Sequence, residues 1–141
     1  MIGKTVSHYR ILEKLGEGGM GAVYRVLDRD RQREVALKVM LPSLMALPKA
    51  VERFKDEAEI LLGLAHDGIV RVFDVGHDRE RDLRYYTMEL LEGRTLRAFI
   101  DEKRTKKEPV AAGEALEVAR QVLEALRYAH RVTVHRDLKP E

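Results

Sequence analysis

Leu15-Gly16-Glu17-Gly18-Gly19-Met20-Gly21-Ala22-Val23-Tyr24 decides how the rest of this 141-residue sequence is read. Glycines at 16, 18 and 21 let the backbone turn tightly and approach a ligand closely. The N–H groups of such a loop can point at phosphate oxygens. A dinucleotide-binding turn with this spacing would run from a strand into a helix. Here Ala22-Val23-Tyr24-Arg25-Val26-Leu27 is rich in β-branched and aromatic residues and runs into the charged turn Asp28-Arg29-Asp30-Arg31-Gln32-Arg33. That order is strand, glycine loop, strand, and it argues against the dinucleotide reading. A glycine-rich hairpin without any ligand stays open on the loop alone.

Composition bounds the answer. The length suits one domain with a sizeable core. Hydrophobic residues make up 45% and charged residues 35%, with a net charge of only +2. No single-sign tail directs the chain to nucleic acid. There is no cysteine, which excludes disulfide and thiolate chemistry and suits a reducing compartment. The N-terminus lacks a signal-peptide core. No stretch approaches the ~18 apolar residues of a membrane span. A cytoplasmic location is therefore expected.

Outward from the loop, Tyr9–Leu15 reads as a strand leading in and Val23–Leu27 as one leading out. Glu34–Met40 is a third strand. Alternation puts Ala36, Lys38 and Met40 on one face, with Val35, Leu37 and Val39 on the other. Lys38 is the anomaly, since lysine on an apolar strand is uncommon unless it is paired or lies at a sheet edge. Pro42 and Pro48 bracket a loop, and a helix is predicted over Lys49–Ala65 with the apolar stripe Phe54, Ala58, Leu61, Leu62 and Ala65. Glu57 falls within that stripe, where a carboxylate is costly unless a cation meets it. A Lys38–Glu57 pair settles both anomalies; an edge lysine with a solvated glutamate is the alternative. Ile69–Val75 and Tyr85–Leu90 are the remaining strands. Beyond the break at Leu91-Glu92-Gly93 the pattern turns helical. A short helix is expected over Arg94–Glu102, then a solvated link over Lys103–Glu108. A core helix follows over Gly113–His130, presenting Ala115, Ala119, Val122, Leu126 and Ala129 with Leu116 and Leu123 beside them. Five strands with one helix, then helices only, suggest two lobes joined near Glu89–Gly93, with a ligand between them.

The C-terminal run is Val134-His135-Arg136-Asp137-Leu138-Lys139-Pro140-Glu141. Taken with Gly16-x-Gly18-x-x-Gly21-x-Val23, Val35-Ala36-Leu37-Lys38 and the Glu57 helix, in that order, it resembles the eukaryotic-like serine/threonine protein kinases of bacteria. The resemblance covers essentially everything from Tyr9 onward. It implies an α+β, protein-kinase-like fold with a five-stranded antiparallel N-lobe sheet and one main helix. Residues 9–91 would be the N-lobe and hinge, and 92–141 the first helices of a truncated helical C-lobe.

The resemblance also implies roles. The loop Gly16, Glu17, Gly18, Gly19, Met20 and Gly21 would cover the phosphates of ATP. Lys38 would hold the α- and β-phosphates and pair with Glu57. Leu15, Val23 and Ala36 would sandwich the adenine, Met88 would stand behind it as gatekeeper, and Glu89 and Leu91 would offer backbone groups to its edge. Asp137 would accept the proton of the substrate hydroxyl, and Lys139 would steady the transferred group, which favours serine/threonine over tyrosine. Arg136 is where the family meets a phosphorylated activation loop. Leu61, Val72 and His135 would belong to the hydrophobic spine. His66 matches a structural histidine of the family, while His8, His77 and His130 show no metal-ligand grouping.

The implied partners are ATP and protein substrates bearing Ser or Thr, with no nucleic acid, no membrane segment, and a kinase-domain dimer as a further form. The implied cofactor beside ATP is Mg²⁺, whose ligands the resemblance puts beyond Glu141. Four residues separate His130 from His135, one fewer than the family usually shows. Little phosphoryl transfer is expected of a chain lacking those metal ligands, and exposed apolar surface is expected around the Gly113–His130 helix. A short nucleotide-binding or kinase-interacting module without catalysis is the alternative function.

Overall fold

The computed structural model describes residues 1–133 and Pro140. The chain divides into two compact units, Met1–Ala65 with Val70–Leu91, and His66–Ile69 with the stretch from Glu92 onward. In the first unit six strands, β1 Thr5–Val6, β2 Tyr9–Glu17, β3 Gly21–Asp28, β4 Arg33–Met40, β5 Val72–Asp78 and β6 Leu83–Met88, form one sheet in the order β1-β2-β3-β4-β6-β5. Every pairing is antiparallel.

The sheet therefore has one strand more than the sequence pattern suggests. Strand β1 is two residues long, too short to show alternation, and folds onto β2 through Ser7 at φ 52°. Its Val6 is fully buried. Two helices belong to this unit, α1 Pro42–Met45 and α2 Pro48–Leu62. The first occupies the expected loop, with Pro42 starting it where a missing N–H costs nothing. Helix α2 stops at Gly63, short of the expected Ala65, and Leu62 in the expected stripe is 50% exposed.

The alternation of β4 separates two cores. Val35, Leu37 and Val39 pack with Tyr9, Val26 and Tyr85 on one face. On the other face Met40 packs with Phe54 and Ala58 of α2, and with Val72 and Tyr86. Burying such side chains is the main favourable contribution to folding.

The β3–β4 and β5–β6 hairpins turn by the same device, Asp-x-x-Arg followed by a residue with positive φ. Asp28 Oδ1 accepts from the N–H of Asp30 at 3.1 Å and of Arg31 at 3.0 Å, with Gln32 at φ 51°. Asp78 Oδ1 accepts from Arg81 N–H at 3.1 Å, its Oδ2 accepts from Ser7 N–H at 2.9 Å, and Asp82 follows at φ 49°. Burial alone would raise both carboxyls. The amides and arginines outweigh it and hold them below the ordinary carboxylate value.

The second unit holds α3 Leu96–Thr105 and α4 Ala112–Ala129. Thr95 Oγ1 accepts from Ala98 N–H at 3.1 Å, which starts α3 two residues later than expected. Its C-terminal turn takes in Lys103–Thr105, the start of the expected solvated link. Glu114 accepts from Ala111 N–H at 3.1 Å at the start of α4. The exposed apolar surface expected around this helix is present, with Leu116 and Leu123 71% and 64% exposed; the expectation of a core helix is corrected, since none of the α4 side chains is buried. No helix among the described residues is long and apolar enough to cross a membrane.

Candidate functional site

Register assembles the site. Gly16 of β2 stands opposite Val23 of β3, Val23 opposite Lys38 of β4, Lys38 opposite Tyr86 of β6, and Tyr86 opposite Val75 of β5. Residues directly opposite in antiparallel strands put their side chains on the same face. One row across the sheet thus carries the glycine loop, the lysine and a tyrosine. In the next row Ala36 faces Met88. Strand β4 lies inside the sheet, so Lys38 is not an edge lysine.

Lys38 Nζ donates to Glu57 Oε1 at 2.7 Å. The pair unites β4 with α2, whose Phe54 and Ala58 are buried on the same face. The lysine side chain is 19% exposed and the glutamate 35%, so the ammonium keeps an outlet on the side away from the core. Tyr86, which the sequence reading did not assign, donates its hydroxyl to the same Oε1 at 2.7 Å. Burial first, and then the bond to the Glu57 carboxylate, push this phenol far above its ordinary value. No one-dimensional pattern signals this contact, which follows from the pairing of β4 with β6.

The glycine loop joins β2 and β3 as a hairpin closed by Gly18 N–H donating to Gly21 C=O at 2.9 Å. Its glycines are not equivalent. A Cβ on Gly16, Gly18 or Gly19 would meet nothing within 4 Å, whereas one on Gly21 would lie 2.6 Å from the Val39 carbonyl oxygen. Gly21 is fixed by the packing of β3 on β4. The others leave open space over the sheet, with Glu17 exposed and Met20 half-buried between them.

Leu15 is 46% exposed beside the loop, and Ala36 is buried at 4%. Val23 and Met88 are half-buried. Glu89 N–H is committed to Arg71 C=O at 2.9 Å, and the Glu89 carboxylate accepts from Arg71 N–H at 2.8 Å. One of the two backbone groups of Glu89 is thus already committed. Leu91 is 70% exposed. Val72 is buried and Leu61 packs against its cluster. Asp137, Lys139, Arg136 and His135 lie outside the described residues. His66 is structural: its Nδ1 accepts from Gly68 N–H at 2.9 Å and its ring lies 5.2 Å from that of Tyr128. Among the described residues no three His, Asp or Glu side chains group as metal ligands.

A groove of about 630 Å³ lies between α3 and α4, lined by Leu96, Phe99, Val118 and Val122, with Glu114 as its charged member. It offers an apolar surface and a negative charge, the opposite of what a polyanion needs.

The model of one family, the protein kinase domain, matches residues 9–141. The chain belongs to the protein kinase domain family. Among curated kinases, it is 38% identical over 142 residues to the serine/threonine-protein kinase PrkC of Bacillus subtilis, covering 99% of this chain and 21% of that one. It is likewise 38% identical over 142 residues to the serine/threonine-protein kinase Pkn1 of Myxococcus xanthus, covering 100% and 19%. The solved PknI kinase domain of Mycobacterium tuberculosis superposes with a TM-score of 0.80 at 30% identity, over 99% of this chain and 55% of that domain. The kinase chain described here thus spans about a fifth of these curated relatives' length. The curled antiparallel sheet with α2 against it is the fold of the kinase family.

Proposed function

We propose that this chain supplies the ATP-binding part of a serine/threonine protein kinase, with Met1–Ala65 and Val70–Leu91 forming the nucleotide lobe. The observation that carries the reading is the Lys38–Glu57 pair at 2.7 Å, set in the same sheet row as the glycine loop. An ammonium held by one carboxylate keeps its other two N–H donors for phosphate oxygens. Glu57 orients Lys38, and buried Phe54 and Ala58 anchor the helix that carries it.

The open space at Gly16, Gly18 and Gly19 fits a triphosphate passing close under the loop backbone. Leu15, Val23 and Ala36 give apolar surface for a purine, Met88 closes it, and the Glu89 carbonyl and Leu91 backbone meet its edge. ATP supplies the γ-phosphoryl group, and Mg²⁺ would be held by residues outside the described set. In this reading Asp137 accepts the proton of a Ser or Thr hydroxyl and Lys139 steadies the transferred group. The relatives' names favour Ser/Thr over Tyr. ATP as donor and the absence of cysteine suit a cytoplasmic domain.

Isothermal titration with ATP tests the reading. Micromolar to millimolar binding is expected, weakened about ten-fold or more in Lys38→Met, which loses a charge-assisted phosphate contact. Equal affinity in wild type and Lys38→Met would sink it. Transfer is assayed on the complete gene product with γ-labelled ATP, where label on Ser or Thr that vanishes in Asp137→Asn is expected, and label on Tyr alone contradicts the specificity.

A further inference from the structure

Tyr86 is the polar group at this site that the proposed function leaves without a task. It is 2% exposed, and its ring lies 5.3 Å from that of Phe54. Packing in the cluster of Met40, Ala58 and Val72 holds that ring in place. A core position of this kind needs only an apolar ring, and a buried hydroxyl is costly unless it is bonded. Here the hydroxyl is bonded to Glu57 Oε1 at 2.7 Å, the same oxygen that takes the Lys38 ammonium at 2.7 Å. Lys38 Nζ also lies 5.4 Å from the Tyr86 ring centroid, within range of a cation–π attraction.

The three groups differ in stiffness. Glutamate and lysine each lose much rotamer entropy when fixed. Glu57 is 35% exposed and has solvent within reach. Tyr86 is rigid and already immobilised by its neighbours. Phosphate oxygens that bind Lys38 compete with Glu57 for the ammonium, and a glutamate whose sole partner is drawn away can swing into water.

We propose that Tyr86 is a positioning residue for nucleotide binding: its hydroxyl pins the Glu57 carboxylate, so that Lys38 stays aimed when phosphate draws on its ammonium. This rests on the nucleotide reading of Lys38. Burial and the carboxylate keep the phenol protonated, so the pin holds throughout the physiological pH range.

Tyr86→Phe removes the hydroxyl and keeps the ring. Two readouts on the complete gene product test the proposal. The first is ATP affinity by titration calorimetry. The second, without nucleotide, is the rate at which an amine-acetylating reagent modifies each lysine, mapped by mass spectrometry. The expected result is an ATP affinity lowered about five-fold, as befits losing a hydrogen bond to a charged group at one remove from the ligand. With it comes faster acetylation of Lys38, at least three-fold, and unchanged rates at the other lysines.

Tyr86→Met, which also removes the hydroxyl while filling the core with an adaptable apolar side chain, should raise Lys38 acetylation in the same way and serves if Tyr86→Phe folds poorly. Unchanged Lys38 acetylation, a rise at all lysines alike, or faster Lys38 acetylation with unaltered ATP affinity would each overturn the proposal. A wild type without measurable ATP affinity overturns the nucleotide reading, and the proposal with it. Wild-type binding that Tyr86→Phe leaves intact overturns the proposal alone.

Discussion

Replacing Gly21 by alanine should destabilise the first unit, while the same change at Gly18 should not. A Cβ at Gly21 falls 2.6 Å from the Val39 carbonyl oxygen and 3.3 Å from its carbon, both backbone atoms of the paired strand. Neither strand can yield by turning a side chain. Strands β3 and β4 would have to part by about 0.6 Å where Gly21 faces Met40, an overpacking cost of about 1–3 kcal/mol. Alanine recovers about 0.4–1 kcal/mol by restricting the unfolded chain. The net is a loss of about 1–2 kcal/mol.

Gly18 has open space at its Cβ position and lies outside the positive-φ glycines, Gly3 and Gly93. Its alanine variant keeps the unfolded-state gain of about 0.4–1 kcal/mol. The two variants should therefore differ by about 2 kcal/mol, or about 6 °C in melting temperature for a domain of this size. Urea denaturation followed by circular dichroism and by the fluorescence of the five tyrosines reads the difference, since the chain has no tryptophan. In the proposed reading Gly18→Ala also puts a methyl into the open space offered to the triphosphate, so ATP titration should show binding weakened about three-fold or more. Equal stabilities of the two variants, or Gly18→Ala the less stable, would refute this division of labour among the glycines.

Further outcomes follow from the same geometry. Asp78→Ala strips the acceptors from Ser7 N–H, Arg81 N–H and the Arg81 guanidinium, and should lower stability by about 2 kcal/mol in urea titrations. Asp28 and Asp78 both have lowered folded-state values, so their stabilisation is complete above the ordinary carboxylate value near 4 and lost as pH falls through the folded values. Urea midpoints should therefore drop between pH 5 and pH 2.5, and the drop should be shallower in Asp78→Asn. Gly76→Ala drives a methyl into the buried Tyr85 ring opposite it and should cost about 1–3 kcal/mol in thermal melts. Lys38→Met leaves Tyr86 bonded to a partly exposed Glu57, so its unfolding free energy from urea titration should change by less than about 1 kcal/mol even as ATP binding weakens about ten-fold or more.

What could be read before the structure was whatever has a period or an anomaly. The alternation of Val35, Leu37 and Val39 against Met40 assigned the two faces of β4, and those residues occupy separate cores. Lys38 and Glu57 were legible because each is the wrong polarity for its stripe. Elements of two and four residues, β1 and α1, carry too few positions for a period. The ends of α2 and β5 differ from the periodic pattern because Gly63 halts one and the turn closed by Ile69 N–H to His66 C=O delays the other. Tyr86 was hidden for another reason: its partner is chosen by cross-strand register, 29 residues away in sequence. Helix α4 had the composition of a core helix, and composition says only that a face seeks cover, not that the described residues provide it.

The most direct test of the central claim, that the sheet row through Lys38 binds the triphosphate, is labelling with an ATP analogue bearing an amine-reactive acyl phosphate. Modified lysines are mapped by mass spectrometry with and without competing ATP. Lys38 should be acylated and ATP should suppress the reaction there, with the surface lysines unaffected by ATP. Labelling confined to other lysines, or at Lys38 with no response to ATP, would contradict it.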